Sequence, residues 1–421
     1  MQSLNKKLLV LLILVANLGT SYAVAEQESE FNPDAAWNEF EQLYRLFYAY
    51  IDREDFSADD VVQRMRDAAA NAESAEEFRQ VLSNGLLAWT DPHLQLGPVE
   101  SGFNVYPTSA DLVIRFVDGA YVVRDVRSGS DAARAGVRPG WSLLEVESQS
   151  VEAAVSELLA LVTDAPTARQ NSYAATLLAN GRKGVARSLS FEQEEGESST
   201  LQLPSPAEYA GRLRNDPILS ATRIGEVAVI SVNNSLGNND TILEFDRVLA
   251  DNLDASGIVI DLRNTPSGGN TEVARSILGH FVETTRSYQV HEVPSLEREF
   301  TVPRRFIEQV MPREPAYLDN PVVVLGGHWT GSMGEGLVIG FDAATDAHIF
   351  ASDMGDLLGG MYTLNLSQSQ AYLLLGRESL FHVDGTPRED FVAEHALTQS
   401  DTAADGSDPA MRAALEYINS Q

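Results

Sequence analysis

From Ile224 to about Ser352 the chain alternates short β-branched runs with helix-forming stretches: VAVISV, TILEFDRVLADNL, GIVIDLR, TEVARSILGHF, PVVVLG, SMGEGLVIGFDAA and IFAS follow in turn. No other feature restricts the fold as tightly. Strands separated by helices cannot close as hairpins, so this pattern predicts a largely parallel sheet covered by helices. In such sheets ligand chemistry gathers outside the carboxyl ends of the strands. Two strand ends here run into glycine-rich turns. After GIVIDLR come Asn264, Thr265, Pro266, Ser267, Gly268 and Gly269; after PVVVLG come Gly327, His328, Trp329, Thr330, Gly331 and Ser332. Ser332 stands at the start of an apolar helix, whose unpaired amides can stabilise an oxyanion. A serine there can equally be a simple helix cap. Gly268 and Gly269 let backbone amides approach a ligand closely, but the turn lacks G-x-G-x-x-G spacing and a Walker lysine, which argues against a phosphate loop.

The rest of the chain divides by composition. Residues 1–25 read as a signal peptide: Lys6 and Lys7, an apolar run from Leu8 to Leu18, and Ala23-Val24-Ala25 ahead of a cut before Glu26. The run is shorter than the roughly 20 residues that span a bilayer, so no stable membrane insertion is expected after its removal. Residues 26–104 form a helical segment, with Trp37, Phe40, Leu43, Val61, Met65, Phe78 and Leu82 at three- and four-residue spacing. It ends at TDPHLQL, where Pro92 disfavours helix for the residue before it. Residues 105–206 are β-rich, with DLVIRF and AYVVRDV, the turn-rich SGSDAARAGVRPGW, a helix VEAAVSELLALV and a hairpin loop at QEEGESS. Residues 207–400 hold the α/β pattern, and 401–421 a polar linker with a short helix.

Export suits the lack of cysteine, which excludes disulfides and a lipoprotein anchor. The net charge of -31 repels phosphate backbones and argues against nucleic acid as a partner. His93, His280, His291, His328, His348, His382 and His395 show no H-E-x-x-H or similar spacing, so neither a metal nor an organic cofactor is expected.

Taken together, these segments resemble the C-terminal processing (tail-specific) proteases, over nearly all of the chain after the signal. That family carries D-x-R-x-N-x-G-G, matched here by Asp261, Arg263, Asn264, Gly268 and Gly269 with a turn one residue longer, and then S-x-x-E, matched by Ser332 and Glu335. The resemblance implies a crotonase-like α/β catalytic domain with Ser332 as nucleophile, and an oxyanion hole from Gly268 or Gly269 and Met333. Lysine-dependent members carry their base about twenty-five residues after the serine, where this chain has Leu357; Lys183 is its only lysine after the signal. The branch similar to the tricorn core protease instead takes a histidine from D-x-H, matched by His93, and an acid before the final strand, for which Glu389 fits best and Asp390 second. His328 is expected near the serine as a neighbour, and Glu335 as a brace of the helix start.

Residues 130–140 resemble a PDZ signature, S-x-A-x-x-A-G-φ-x-x-G, with Trp141 in place of the usual aspartate. A PDZ module adds an extended peptide to a sheet edge, and Asp111, Leu112, Val113 and Ile114 are the expected docking strand for substrates with exposed C-termini. The expected function is thus a periplasmic or secreted serine endopeptidase. The alternative is an inactive relative that binds peptides or small apolar ligands.

Overall fold

The computed structural model describes residues 31–52, 56–100, 102–193, 196–397 and 407–421; the expected signal peptide and most of the polar linker lie outside them. Three helices open the chain: α1 (Pro33–Phe47), α2 (Ala58–Ala69) and α3 (Ala75–Gly85). Asn32, Ser57 and Ser74 cap them by accepting from amides in the first turn. Their apolar stripes bury Trp37, Phe40 and Tyr44, Val61 and Met65, and Phe78 and Leu82. The short strand β1 (Gln95–Gly97) follows.

The middle of the chain contains β2 (Leu112–Val117), β3 (Ala120–Val126), α4 (Asp131–Arg134), β4 (Ser142–Val146), β5 (Gln149–Ser150), α5 (Val151–Leu159), α6 (Ala168–Asn180), β6 (Arg187–Glu192) and β7 (Ser198–Leu203). Its sheet runs β2-β3-β4-β6-β7, with β5 on β4, and every pairing is antiparallel. The hairpin expected at QEEGESS joins β6 to β7.

The α/β part continues with α7 (Pro206–Leu213), β8 (Leu219–Ile224), β9 (Val227–Val232), α8 (Asp240–Ala250), β10 (Gly257–Asp261), α9 (Thr271–Leu278), β11 (Arg286–Glu292), α10 (Pro294–Phe300) and β12 (Arg305–Val310). Then come β13 (Val322–Gly326), α11 (Met333–Ala344), β14 (His348–Ala351), β15 (Gly360–Leu366), β16 (Ala371–Phe381), β17 (His395–Ala396) and α12 (Pro409–Ser420). Its sheet has the order β17-β14-β13-β10-β9-β8. All neighbours are parallel except β8, which closes the edge antiparallel to β9. Asp261 pairs with Leu325, so both glycine-rich turns leave the sheet side by side.

A further antiparallel sheet, β1-β16-β11-β12 with β15 on β16, crosses the boundary expected at residue 104. Gln95, Leu96 and Gly97 pair with Leu374, Leu373 and Tyr372, which ties the segment following His93 to the α/β part. The cores agree with this. One apolar cluster unites the N-terminal helices, the middle sheet and Leu373 and Leu375 of β16, while a second lies under β9, β10 and β13 with α8, α9 and α11. The N-terminal helices are therefore not an independent unit. They share buried surface with both neighbours.

Candidate active site

Ser332 is held between β13 and α11 with φ 54 and ψ -116, a left-handed φ rare for a residue with a Cβ. Neighbouring groups fix it there. The Ser332 amide donates to the Glu335 carboxylate at 2.6 Å, and the Gly331 amide donates to the Thr265 carbonyl at 2.9 Å. At Gly331 a Cβ would lie 2.7 Å from the Pro266 carbonyl oxygen, so only glycine lets the two turns meet. At Gly268 a Cβ would stand 2.5 Å from Met333 Cβ and 3.1 Å from Met333 N, which sets the second turn directly against the first amide of α11. That amide has no acceptor within its own helix. Gly269, with φ 126, has open space where a Cβ would stand.

Glu335 organises more than the helix start. Its buried carboxylate also accepts from the amides of Asp356 (2.9 Å) and Leu357 (3.3 Å), binding the loop before β15 to the serine turn. Burial pushes its pKa up to about 8, against the opposing charge of Arg388. Leu357 lies over the same turn, its Cδ1 3.1 Å from where a Gly331 Cβ would be. The position that a lysine fills in the lysine-dependent branch is thus packed with hydrocarbon. Lys183 is exposed and borders a separate cavity beside Phe103 and Tyr372.

His93 is 4% exposed, on the loop between the N-terminal helices and β1. Asp91 fixes that loop: one carboxylate oxygen accepts from the amides of His93 (2.9 Å) and Leu358 (3.2 Å), the other from the Tyr48 hydroxyl (2.9 Å). The imidazole Nδ1 lies 3.0 Å from the Leu358 carbonyl. A carbonyl only accepts, so Nδ1 carries the proton and Nε2 is left as the basic nitrogen. Burial lowers the His93 pKa to about 4, helped by the nearby Arg388 charge and opposed by the bond to Leu358. Among the described residues no hydrogen bond joins the imidazole to Ser332 or Glu389.

The segment expected to supply the acid turns a different residue inward. Arg388 is 5% exposed; its guanidinium donates to the Ser332 carbonyl at 3.4 Å and to the Leu357 carbonyl, and stands 4.0 Å from the Glu335 carboxylate. Glu389 lines a cleft of about 390 Å³ with Pro92, Tyr106, Tyr173, Glu335 and Arg388, and its charge acts on Tyr50. Ser332 borders this cleft only through its backbone partners Glu335 and Arg388. Asp390 is exposed. Tyr48 and Arg388 gave no sequence signal, because their importance comes from contacts with residues remote in the chain; Asp91 stood in the D-x-H motif, but its role as the brace of the His93 loop was not read from it.

His328 is buried against the middle module, with Nδ1 2.8 Å from the Asp125 carboxylate on β3. One expectation is corrected. The docking strand Asp111–Ile114 is not an open edge. All four residues are buried, and α6 fills the outer side of β2. Asn180 Oδ1 accepts from the amides of Asp111 and Leu112, Thr176 Oγ1 from Ile114, and Ser172 Oγ from Phe116. Asn180 and Thr176 also donate to the carbonyls of Leu112 and Ile114. Asp111 is further engaged in a bidentate pair with Arg187, at 2.6 and 2.7 Å. A strand-adding peptide would find these groups already bonded.

For metal binding, His348, Glu394 and His395 bring three donor atoms within 4.8 Å of one another, away from Ser332 on the β14–β17 edge. Sequence spacing missed them because parallel strands, not one helix, unite them.

No protein-family model matches the chain, and no characterised relative is detected by sequence. Solved structures do match. Mature CPAF complexed with lactacystin superposes with a TM-score of 0.60 at 13% identity, over 92% of this chain and 97% of that one. The photosystem II D1 C-terminal processing protease gives a TM-score of 0.55 at 13% identity, over 87% of this chain and 92% of that one. The mixed α/β fold is therefore shared with these two structures across nearly the whole chain.

Proposed function

We propose that this chain is an exported serine peptidase similar to the C-terminal processing proteases, with a crotonase-like catalytic domain. Ser332 is the nucleophile, and the amides of Gly268 and Met333 hold the oxyanion. His93 Nε2 takes the hydroxyl proton as Oγ attacks the peptide carbonyl, then returns it to the departing amine. Water, deprotonated by the same imidazole, cleaves the acyl-enzyme ester. Glu389 is the acidic partner that stabilises the imidazolium. The observation that carries this reading is the meeting of the two glycine-rich turns, with Gly268 against the Met333 amide beside a serine held at positive φ. Catalytic hydrogen bonds commonly tighten only with substrate present, so the His93 contact with Leu358 suits a resting site. Tail recognition through Asp111–Ile114 is left out of the mechanism, because α6 occupies that edge.

The same Leu358 contact favours a second reading, an inactive relative that binds peptides without cutting them. A fluorophosphonate probe separates the two. Labelling of wild type that is lost in Ser332→Ala supports the hydrolase; equal labelling of both removes Ser332 from the mechanism. His93→Ala, with its fold verified by circular dichroism, should lose about 10²-fold or more in peptidase rate. Export is tested by sequencing the secreted product, expected to begin at Glu26.

A further inference from the structure

We propose that His348, Glu394 and His395 form a binding site for a divalent transition-metal ion, Zn²⁺ by donor chemistry, that clips the starts of β14 and β17 together at one edge of the α/β sheet. His348 opens β14 and His395 opens β17, the parallel strands at that edge of the sheet. One oxygen of Glu394 lies 2.9 Å from His348 Nδ1 and 3.7 Å from His395 Nε2. Metal–ligand bonds of about 2.0–2.2 Å in a tetrahedron put donors roughly 3.3 Å apart, a value these two separations bracket. An ion therefore needs only small side-chain shifts.

Two further features single this trio out from an ordinary surface hydrogen bond. His395 Nε2 is buried with no hydrogen-bond partner among the described residues, a costly state for a ring nitrogen that a metal bond would relieve. The ring itself is oriented by stacking on Phe350, with centroids 4.0 Å apart. The other feature is an outer support. His348 Nε2 lies 2.6 Å from the Tyr417 hydroxyl of α12, so Nδ1 can bind metal while the opposite nitrogen is held, as in most histidine metal sites. Two imidazoles and one carboxylate suit Zn²⁺, Cu²⁺ or Ni²⁺, whereas Ca²⁺ and Mg²⁺ prefer all-oxygen shells. The three ligands leave a fourth position for water. Glu394 follows Glu389 and Arg388 by a few residues, so the ion would also anchor the segment that feeds the candidate active site.

The test uses the untagged chain beginning at Glu26, stripped with EDTA and dialysed, titrated calorimetrically with ZnCl₂ and separately with CaCl₂. The expected result is one Zn²⁺ per chain at micromolar or tighter affinity, no Ca²⁺ heat, and a Zn²⁺-dependent rise of about 5 °C in Tm at saturation. Glu394→Gln, at an exposed position that leaves the Phe350 stack intact, should weaken Zn²⁺ at least about tenfold, as should His395→Ala. Tyr417→Phe should weaken it about tenfold through the lost support. Absence of micromolar Zn²⁺ binding by wild type, or unchanged affinity in Glu394→Gln, would overturn the site. Neither readout depends on peptidase activity, so failure here is distinguishable from failure of the catalytic proposal.

Discussion

Ser332 carries a positive φ that costs on the order of 1–3 kcal/mol at a non-glycine residue, and Glu335 is the side chain that holds it there. The Glu335 pKa of about 8 lies above its ordinary 4.5, so the folded state binds this proton more tightly than the unfolded chain does. Its stabilising contribution is full below about pH 4.5 and is lost as pH rises through about 8. Glu335→Gln should remove that dependence, and the fall in Tm between pH 5 and pH 8 measured for wild type should be visibly smaller in the variant. His93 has the opposite displacement. Its pKa of about 4 keeps the imidazole neutral, and so competent as a base, well below the usual histidine range. The acid limb of kcat/KM should therefore fall near pH 4, and a midpoint near 6.5 would show that the His93 imidazole is solvated in the working enzyme. The sequence offered Ser332, His93 and Glu335 through motifs. It offered Asp91 only as the first residue of the D-x-H motif and nothing for Arg388, since a buried guanidinium or carboxylate is recognised by what surrounds it.

Among the elements, α6 shows how local sequence can mislead about an edge. DLVIRF has the composition of an exposed docking strand, and nothing in it reveals that Ser172, Thr176 and Asn180 repeat every fourth residue on a helix packed alongside. That spacing puts all three on one face, and their oxygens meet the alternate amides of β2. Thr176→Val preserves shape but strands the Ile114 amide and carbonyl; it should cost about 1–3 kcal/mol in urea unfolding. Peptides ending in free carboxylates should show no saturable binding to wild type by fluorescence anisotropy, and micromolar binding would show that α6 can be displaced. The parallel strands and their helices were legible from periodicity because each buries its own apolar run. The strands β11 and β12 were not, since their alternation is interrupted by the charged α10.

At the scale of the whole molecule, the middle module is locked to the α/β part by polar groups. Arg127, 2% exposed, donates through Nε and Nη2 to Asn264 Oδ1 at 3.0 and 2.7 Å, and through Nη1 to the carbonyls of Thr108 and Ala110. Burial lowers its pKa to about 10. The His328–Asp125 contact and the bond from Trp329 Nε1 to the Ala110 carbonyl, at 3.0 Å, lie alongside. Asn264→Ala leaves a buried charge short of its acceptor and should destabilise the protein by about 2–4 kcal/mol in chemical unfolding. A cost below about 0.5 kcal/mol would mean that the modules are held mainly by apolar contact.

The sequence by itself determined what depends on neighbours along the chain: the parallel α/β order, the helical start, the glycine-rich turns, and a serine poised at a helix amide. These follow from periodicity and from the backbone freedom of glycine, which act over a few residues. Tertiary structure alone decided that β1 pairs with β16 to carry His93 to the α/β part, that Arg388 is buried against the serine turn, that α6 closes the β2 edge, and that two histidines 47 positions apart share one carboxylate. Each of these depends on which buried polar group finds a partner across the fold. Unlike hydrophobic period, that pairing leaves no regular trace in the order of residues.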